Sequence, residues 1–222
     1  MPIREEPLLA GSIYHIYNRS VDKKILFGTR LGCYRFIEAL KYYRSTKFNV
    51  SLSRFYRLDE YRRKEIEEIV KDHAYHTVQV LAYALMPTHF HLLLKDLHEN
   101  GISQYISKVT NAFTRYYNIT HHRTGSVFES RFKATCMRTD EQLIHTSRYI
   151  HLNCYSGNII QTIDELRLYE WSSYKHYIED NNSSFVHREI VLSLFGDNKL
   201  NHQKFVEQNA EYQRRLEKTK HK

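Results

Sequence analysis

Glycine and proline are scarce, 7 and 3 among 222 residues, which excludes collagen-like and low-complexity chains. Cysteine is just as sparse. Cys33, Cys136 and Cys154 lie far apart with no CxxC spacing, so neither a disulfide framework nor a zinc ribbon is indicated. No apolar run approaches the roughly 18 residues that a membrane helix needs. The opening MPIREEPLLAGS lacks the apolar segment of a secretion signal. A cytoplasmic location without a membrane partner is the expectation. No GxxxxGK[ST] or HExxH pattern occurs either, so no P-loop and no zinc-protease helix is in view. What is present, 41% hydrophobic and 26% charged residues, suits a globular protein with one main core.

The charge is uneven. Thirty-three Lys and Arg against 25 Asp and Glu give a net charge of +8, with 14 His in addition. Residues 101–138 carry Lys108, Arg115, Arg123, Arg131, Lys133 and Arg138 against one acid, Glu129. A stretch like this attracts a polyanion through counterion release, and the interleaved Phe113, Tyr116, Tyr117 and Phe128 offer faces on which unpaired bases stack. A basic surface with no ligand is the plainer alternative, as is core packing for either tyrosine.

The pattern along the chain alternates strands and helices without internal repeats. Residues 12–17 (SIYHIY) read as a strand and 30–46 as an amphipathic helix. The charged run in 57–72 reads as a solvated helix. Residues 77–95 are the most strand-like, and Pro87 divides them into two strands with a turn near 86–88, or bends one edge strand. A helix follows over 103–118, then a short strand within 126–138. Thr139 and Gln142 fit a capping box that opens a helix to about residue 154. The polar tail ends in another charged, helix-like run. This order predicts an α/β (α+β) sandwich with helices over an antiparallel or mixed sheet, as in ferredoxin-like folds. Fold alone assigns no function.

His89-Phe90-His91 is where chemistry first shows. Side chains alternate along a strand, so the two imidazoles share one face while Phe90, Leu92 and Leu94 share the other. Two imidazoles so placed suit one divalent cation. With 14 His in 222 residues, about one HxH is expected by chance. Two histidines merely hydrogen-bonded on a polar sheet face is therefore the plainer reading of the spacing. In the capped helix, His145, Tyr149 and Asn153 recur every fourth residue and form a stripe, with Leu143, Ile150 and Cys154 as its apolar side. Asn153 offers an amide oxygen as a third ligand. Tyr149 offers a phenolic hydroxyl, a weak nucleophile at a phenol's usual pKa of about 10 unless a metal-polarised phosphate or a base assists. Simple helix packing would equally account for Tyr149.

A set of ordered motifs goes further: IYHIYNRS (13–20), AYALMPTHFHLLLKD (82–96), ISQYISKVTNAFTRYYN (102–118), GSVFESRFKA (125–134), RYIHLN (148–153) and WSSYKHY (171–177). Together they resemble the single-tyrosine HUH transposases, in particular the REP-associated tyrosine transposase-like branch, from about residue 13 to 177. The resemblance implies a ferredoxin-like or RRM-like domain with an antiparallel sheet. It implies that His89 and His91 bind Mg²⁺ or Mn²⁺, with Phe90 as the hydrophobic residue between them. Asn153 falls on the amide position of the third metal contact, a glutamine in the best-known relatives, and Tyr149 on the catalytic tyrosine. Residues 1–177 are then the catalytic domain, with a helical insertion near 51–76, and 178–222 a C-terminal extension.

The implied activity is cleavage and rejoining of single-stranded or hairpin-forming DNA through a 5′-phosphotyrosine, beside the bacterial nucleoid. Lys108, Arg115, Arg123, Arg131 and Lys133 are the candidate DNA contacts. Relatives act as monomers or as dimers with the tyrosine helix in trans, so a homodimer stays open. A domesticated, non-cleaving hairpin-binding protein on the same fold is the alternative, and a zinc hydrolase a weaker third reading. His15 and His151 are either near the site or structural, and structural is the expectation.

Overall fold

A computed structural model describes residues 7–47, 49–180 and 185–220. The opening six residues and the last two of the charged tail lie outside the described residues. The sheet has four strands, β1 (Ile13–Arg19), β2 (Val78–Met86), β3 (His89–Asp96) and β4 (Lys133–Cys136). Their spatial order is β2-β3-β1-β4, and every pairing is antiparallel. Helix α1 (Arg30–Tyr42) follows β1 and helix α4 (Gly101–Thr120) follows β3, which gives the β-α-β-β-α-β order of a ferredoxin-like fold.

The sheet's two faces are set by strand alternation. Tyr14 and Ile16 of β1 and Phe90, Leu92 and Leu94 of β3 are buried on one face. Helices α1 and α4 cover it, with Phe36 of α1 4.9 Å from the Phe90 ring and 5.4 Å from that of Phe113 on α4. Ile102, Tyr105, Ile106, Val109 and Phe113 are the buried side of α4, at the three- and four-residue spacing of an amphipathic helix. Gly101 starts α4 because nothing larger fits. A Cβ there would stand 2.4 Å from the Asp96 carboxylate, whose Oδ1 accepts from the Ile102 amide.

Helix α5 (Asp140–Ser156) lies on the opposite face, packed on β2 and β3. Thr139 caps it, its hydroxyl accepting from the Gln142 amide at 3.1 Å. The Gln142 side chain reaches back one residue further than the capping box predicts, to the amide of Arg138 at 2.8 Å.

Between α1 and β2 stand α2 (Leu52–Phe55), α3 (Glu60–Lys71) and a 3-10 turn at His73–Tyr75. In α3 only Ile66 is buried, as its charged sequence predicts. After α5 come α6 (Ile163–Leu168), α7 (Tyr174–Ile178), α8 (Glu189–Leu192), α9 (Lys199–Glu207) and α10 (Ala210–Lys220). Leu152, Cys154 and Tyr155 of α5 join Leu166, Tyr174, Val206 and Ala210 in a second apolar cluster beneath them.

The outer edge of β2 is strapped. The Leu85 amide donates to the Trp171 carbonyl (2.8 Å), Ser173 N to Tyr83 O (2.9 Å) and His187 N to Val80 O (2.8 Å).

The 77–95 run is two strands joined at Pro87-Thr88 rather than one bent strand. The strand expected within 126–138 is confined to Lys133–Cys136. Ahead of it the chain is held as a loop at the end of β1, where Glu129 N donates to Arg19 O at 2.9 Å and the Asn18 amide donates to Glu129 O at 3.2 Å.

Candidate active site

On the α5 side of the sheet, β1 and β3 place His15, Tyr17 and Arg19 beside His89 and His91, with Tyr17 opposite His91 and Arg19 opposite His89. The His89 and His91 rings are 5.1 Å apart, as their shared face requires. Tyr149 comes down from α5 with its ring edge-on to His91 at 5.6 Å. His89, His91, Tyr149 and Asn153 all line one cleft of about 910 Å³. His145, the third member of the expected stripe, is not there. It is exposed, 3.8 Å from Glu141. Each four-residue step turns a helix by about 40° past a full circle, so two steps carry His145 well off the face shared by Tyr149 and Asn153.

The protonation of the two histidines is set by their neighbours. His91 is 5% exposed, and its Nδ1 is 2.9 Å from His15 Nε2. Burial holds the His91 imidazole well below its ordinary pKa, and His15, His89 and Arg19 push the same way. Burial also takes His15 down to about 4, and burial with Arg19 takes His89 to about 4. All three rings are therefore neutral at pH 7. His89 Nδ1 is 3.0 Å from the Thr88 hydroxyl. His89 and His91 thus each use Nδ1 for a protein hydrogen bond and have Nε2 for a ligand, the support typical of metal-binding imidazoles. Asn153 is 4% exposed, and its amide Nδ2 is a buried polar atom with no hydrogen-bond partner. Two neutral imidazoles, with the Asn153 carboxamide Oδ1 as an oxygen donor, fit a divalent cation that accepts mixed nitrogen and oxygen donors, while the unpartnered Nδ2 is a hydrogen-bond donor that suits an anionic oxygen.

The rest of the cleft is charged on both sides. Arg19, Lys23 and Lys218 line it with Asp22, Glu129 and Glu217. Asp22 and Lys23 hold left-handed backbone (φ 57° and 53°), costing about 1–2 kcal/mol per non-glycine residue, a kind of strain that gathers at functional sites. Helix α10 supplies Glu217 and Lys218 and braces α5, the Gln213 amide donating to the Tyr149 carbonyl at 3.1 Å.

The expected DNA contacts spread out. Lys133 lies 5.9 Å from the Tyr17 ring, on the edge of the histidine face. Lys108 and Arg115 line a separate groove between α1, α2 and α4, together with Tyr116. Arg131 lines a third depression beside α4. Arg123 is engaged in its own loop, donating to the Asn118 side chain (3.0 Å) and the Ser126 carbonyl (3.2 Å). Tyr117 is buried, its ring stacked 3.9 Å from that of His121.

Sequence reasoning left His15 either near the site or structural and favoured structural, whereas the structure sets it against His91. The signal was available, because His15, Tyr17 and Arg19 alternate in β1 as the histidines do in β3. His151, by contrast, is structural as expected. It is fully buried, with Nε2 3.0 Å from the Ser173 hydroxyl. No local pattern announces Glu129 or Glu217.

Two comparisons with known proteins found similarities. Residues 47–153 match the family model described as transposase IS200 like. Over that stretch, just under half of its length, the chain is similar to the IS200-like transposases. A solved structure of a REP-associated tyrosine transposase bound to a REP hairpin aligns with a TM-score of 0.53 at 12% identity, over 85% of this chain and 98% of that one. At that identity the likeness establishes the fold, an α+β domain with helices on a four-stranded antiparallel sheet. No curated protein matches the chain. Among the described residues, no helix is long and apolar enough to cross a membrane.

Proposed function

We propose that this protein is a transposase that cleaves and rejoins single-stranded, hairpin-forming DNA through a covalent tyrosine intermediate. The observation that carries the reading is the convergence of His89, His91, Tyr149 and Asn153 on one cleft. Tyr149 is the nucleophile. Its oxygen forms a bond to phosphorus as the P–O3′ bond breaks, the phenol's proton is lost, and the departing 3′ oxygen leaves as a hydroxyl. The product is a 5′-phosphotyrosine and a free 3′-OH, and attack by a 3′-OH reverses the step, so no nucleotide cofactor is consumed.

His89, His91 and Asn153 would hold a divalent cation, Mg²⁺ or Mn²⁺, which when bound neutralises and orients the scissile phosphate. His15 positions His91 through Nε2. Arg19, Lys23 and Lys133 suit backbone phosphates at the cleft, and Lys108, Arg115, Arg123 and Arg131 the more distant duplex. Because a single chain brings Tyr149 within 5.6 Å of His91, Tyr149 is assigned to its own chain's histidines. Residues 1–177 form the catalytic unit, and the 178–222 extension contributes its last helix to the cleft.

The test is incubation of the full chain with labelled single-stranded hairpin DNA from the flanks of its locus, with Mg²⁺ or Mn²⁺, followed by a denaturing gel. A covalent adduct lost in Tyr149→Phe and on chelation is expected. A band shift without an adduct would sink the catalytic reading and leave hairpin binding. Mixing Tyr149→Phe with a His89→Ala/His91→Ala chain should restore nothing, whereas restored adduct would put the tyrosine in trans.

A further inference from the structure

Away from the cleft, two segments with no role in the proposed reaction bring three histidines together. His73 stands in the 3-10 turn after α3 and His76 directly follows that turn, while His187 leads into α8. Their ligand nitrogens all lie within 4.8 Å of one another. The His73 ring is 5.0 Å from each of the other two. His76 and His187 are 1% and 7% exposed, and His73 faces solvent.

Hydrogen bonding fixes where the protons are. His76 Nε2 is 2.8 Å from the Val70 carbonyl, which only accepts, so Nε2 carries the hydrogen and Nδ1 the lone pair. His187 Nδ1 is 3.0 Å from a Glu189 carboxylate oxygen, so Nδ1 carries the hydrogen and Nε2 the lone pair. The two lone-pair atoms, His76 Nδ1 and His187 Nε2, are buried with no hydrogen-bond partner. Buried polar atoms left this way are few in native proteins and call for a ligand. An imidazole whose second nitrogen donates to a carbonyl or carboxylate is the arrangement that supports metal binding.

We propose that His73, His76 and His187 form a second cation site, selective for zinc-class transition metals, that fastens the α3 segment to the C-terminal segment. Three nitrogen donors favour Zn²⁺, Co²⁺ or Ni²⁺ over Mg²⁺, unlike the mixed set in the cleft. Nitrogens about 2.0–2.1 Å from a tetrahedral ion stand roughly 3.3 Å apart, so ligation draws the cluster in by up to about 1.5 Å. Solvent-facing His73 has the most room to move, and the fourth position opens to water. The charged neighbours oppose each other. The Arg44 guanidinium disfavours positive charge at His76 and His187, and Glu189 favours it at His187. Burial is the largest influence on both and keeps the two rings neutral at pH 7.

This site stands independently of the DNA chemistry, and its test is built to keep the two apart. Full-length His89→Ala/His91→Ala protein, freed of metal with chelator, is titrated with Co²⁺ and then Zn²⁺. The site predicts one equivalent of Co²⁺ with the visible bands of a tetrahedral nitrogen environment, displaced by Zn²⁺, and a higher unfolding temperature with Zn²⁺. Adding His73→Ala, which disturbs no core, should weaken binding at least tenfold, and His187→Gln should do the same. Absence of the bands and of the thermal shift would overturn the proposal. So would binding that survives His73→Ala unchanged, because that metal would be sitting on other surface histidines.

Discussion

The two faces of the sheet are cut from the same pair of strands and differ in every respect that matters. One face presents Ile16, Phe90 and Leu92, all with no exposure, to α1 and α4. The other presents His15, Tyr17, Arg19, His89 and His91 to α5 and the cleft. Strand alternation therefore separates two tasks at single-residue resolution, so that a change at 90 and a change at 91 should have unlike consequences. The apolar face holds the fold. The polar face accepts buried, neutral imidazoles and an unengaged amide, a local cost that a ligand would offset.

The largest expected effect is on chemistry. Tyr149→Phe should reduce adduct formation to background while the unfolding free energy from urea titration stays within about 0.5 kcal/mol of the parent and hairpin binding by gel shift persists. Next comes the direct contrast between neighbours in β3. Phe90→Ala should cost about 3–5 kcal/mol in chemical denaturation. His91→Ala should cost within about 1–2 kcal/mol and yet abolish metal-dependent cleavage. Equal stability losses would break the comparison.

His15→Ala tests whether the second layer of the polar face is used. Losing its bond to His91 should weaken metal binding by about 10–100-fold, read by calorimetry, with hairpin affinity unchanged.

Acid should also attack one face only. His15 and His89 titrate near 4 when folded, chiefly through burial, instead of near 6.5. Between those values the unfolded chain binds protons that the folded chain does not. Stability is thus full above about pH 6.5 and falls as pH drops towards 4, by roughly 1–2 kcal/mol per group at pH 5. In chelator, His15→Leu should flatten this slope, whereas Phe90→Leu should lower every point equally. The smallest effect is at the start of α5, where Thr139→Ala removes the cap and should cost about 1 kcal/mol.

Much of this was legible in the sequence because it rests on short-range periodicity. The HFHLLL alternation announced both faces of β3, Pro87 the turn before it, and the i,i+4 spacing of Tyr149 and Asn153 their shared side of α5. What was not legible depends on distance along the chain. His15 meets His91 across 76 residues, and nothing local to either announces the pairing. The same holds for Glu217, which reaches the cleft only because α10 docks on α5. The short reach of β4 was missed because Val127, Phe128 and Phe132 are strand-favouring residue types, yet that stretch is tied to the end of β1 by tertiary hydrogen bonds.

The strap on β2 has a consequence for how this protein would fail. β2 is nine residues long and almost wholly buried, and a bare edge of that kind is a template for pairing with other chains. Residues 171–173 and 186–187 occupy that edge with backbone hydrogen bonds, while the opposite edge strand, β4, has only four residues. Damage to the strap would therefore reveal itself first as insolubility, with the chemistry of the cleft still intact in whatever remained in solution.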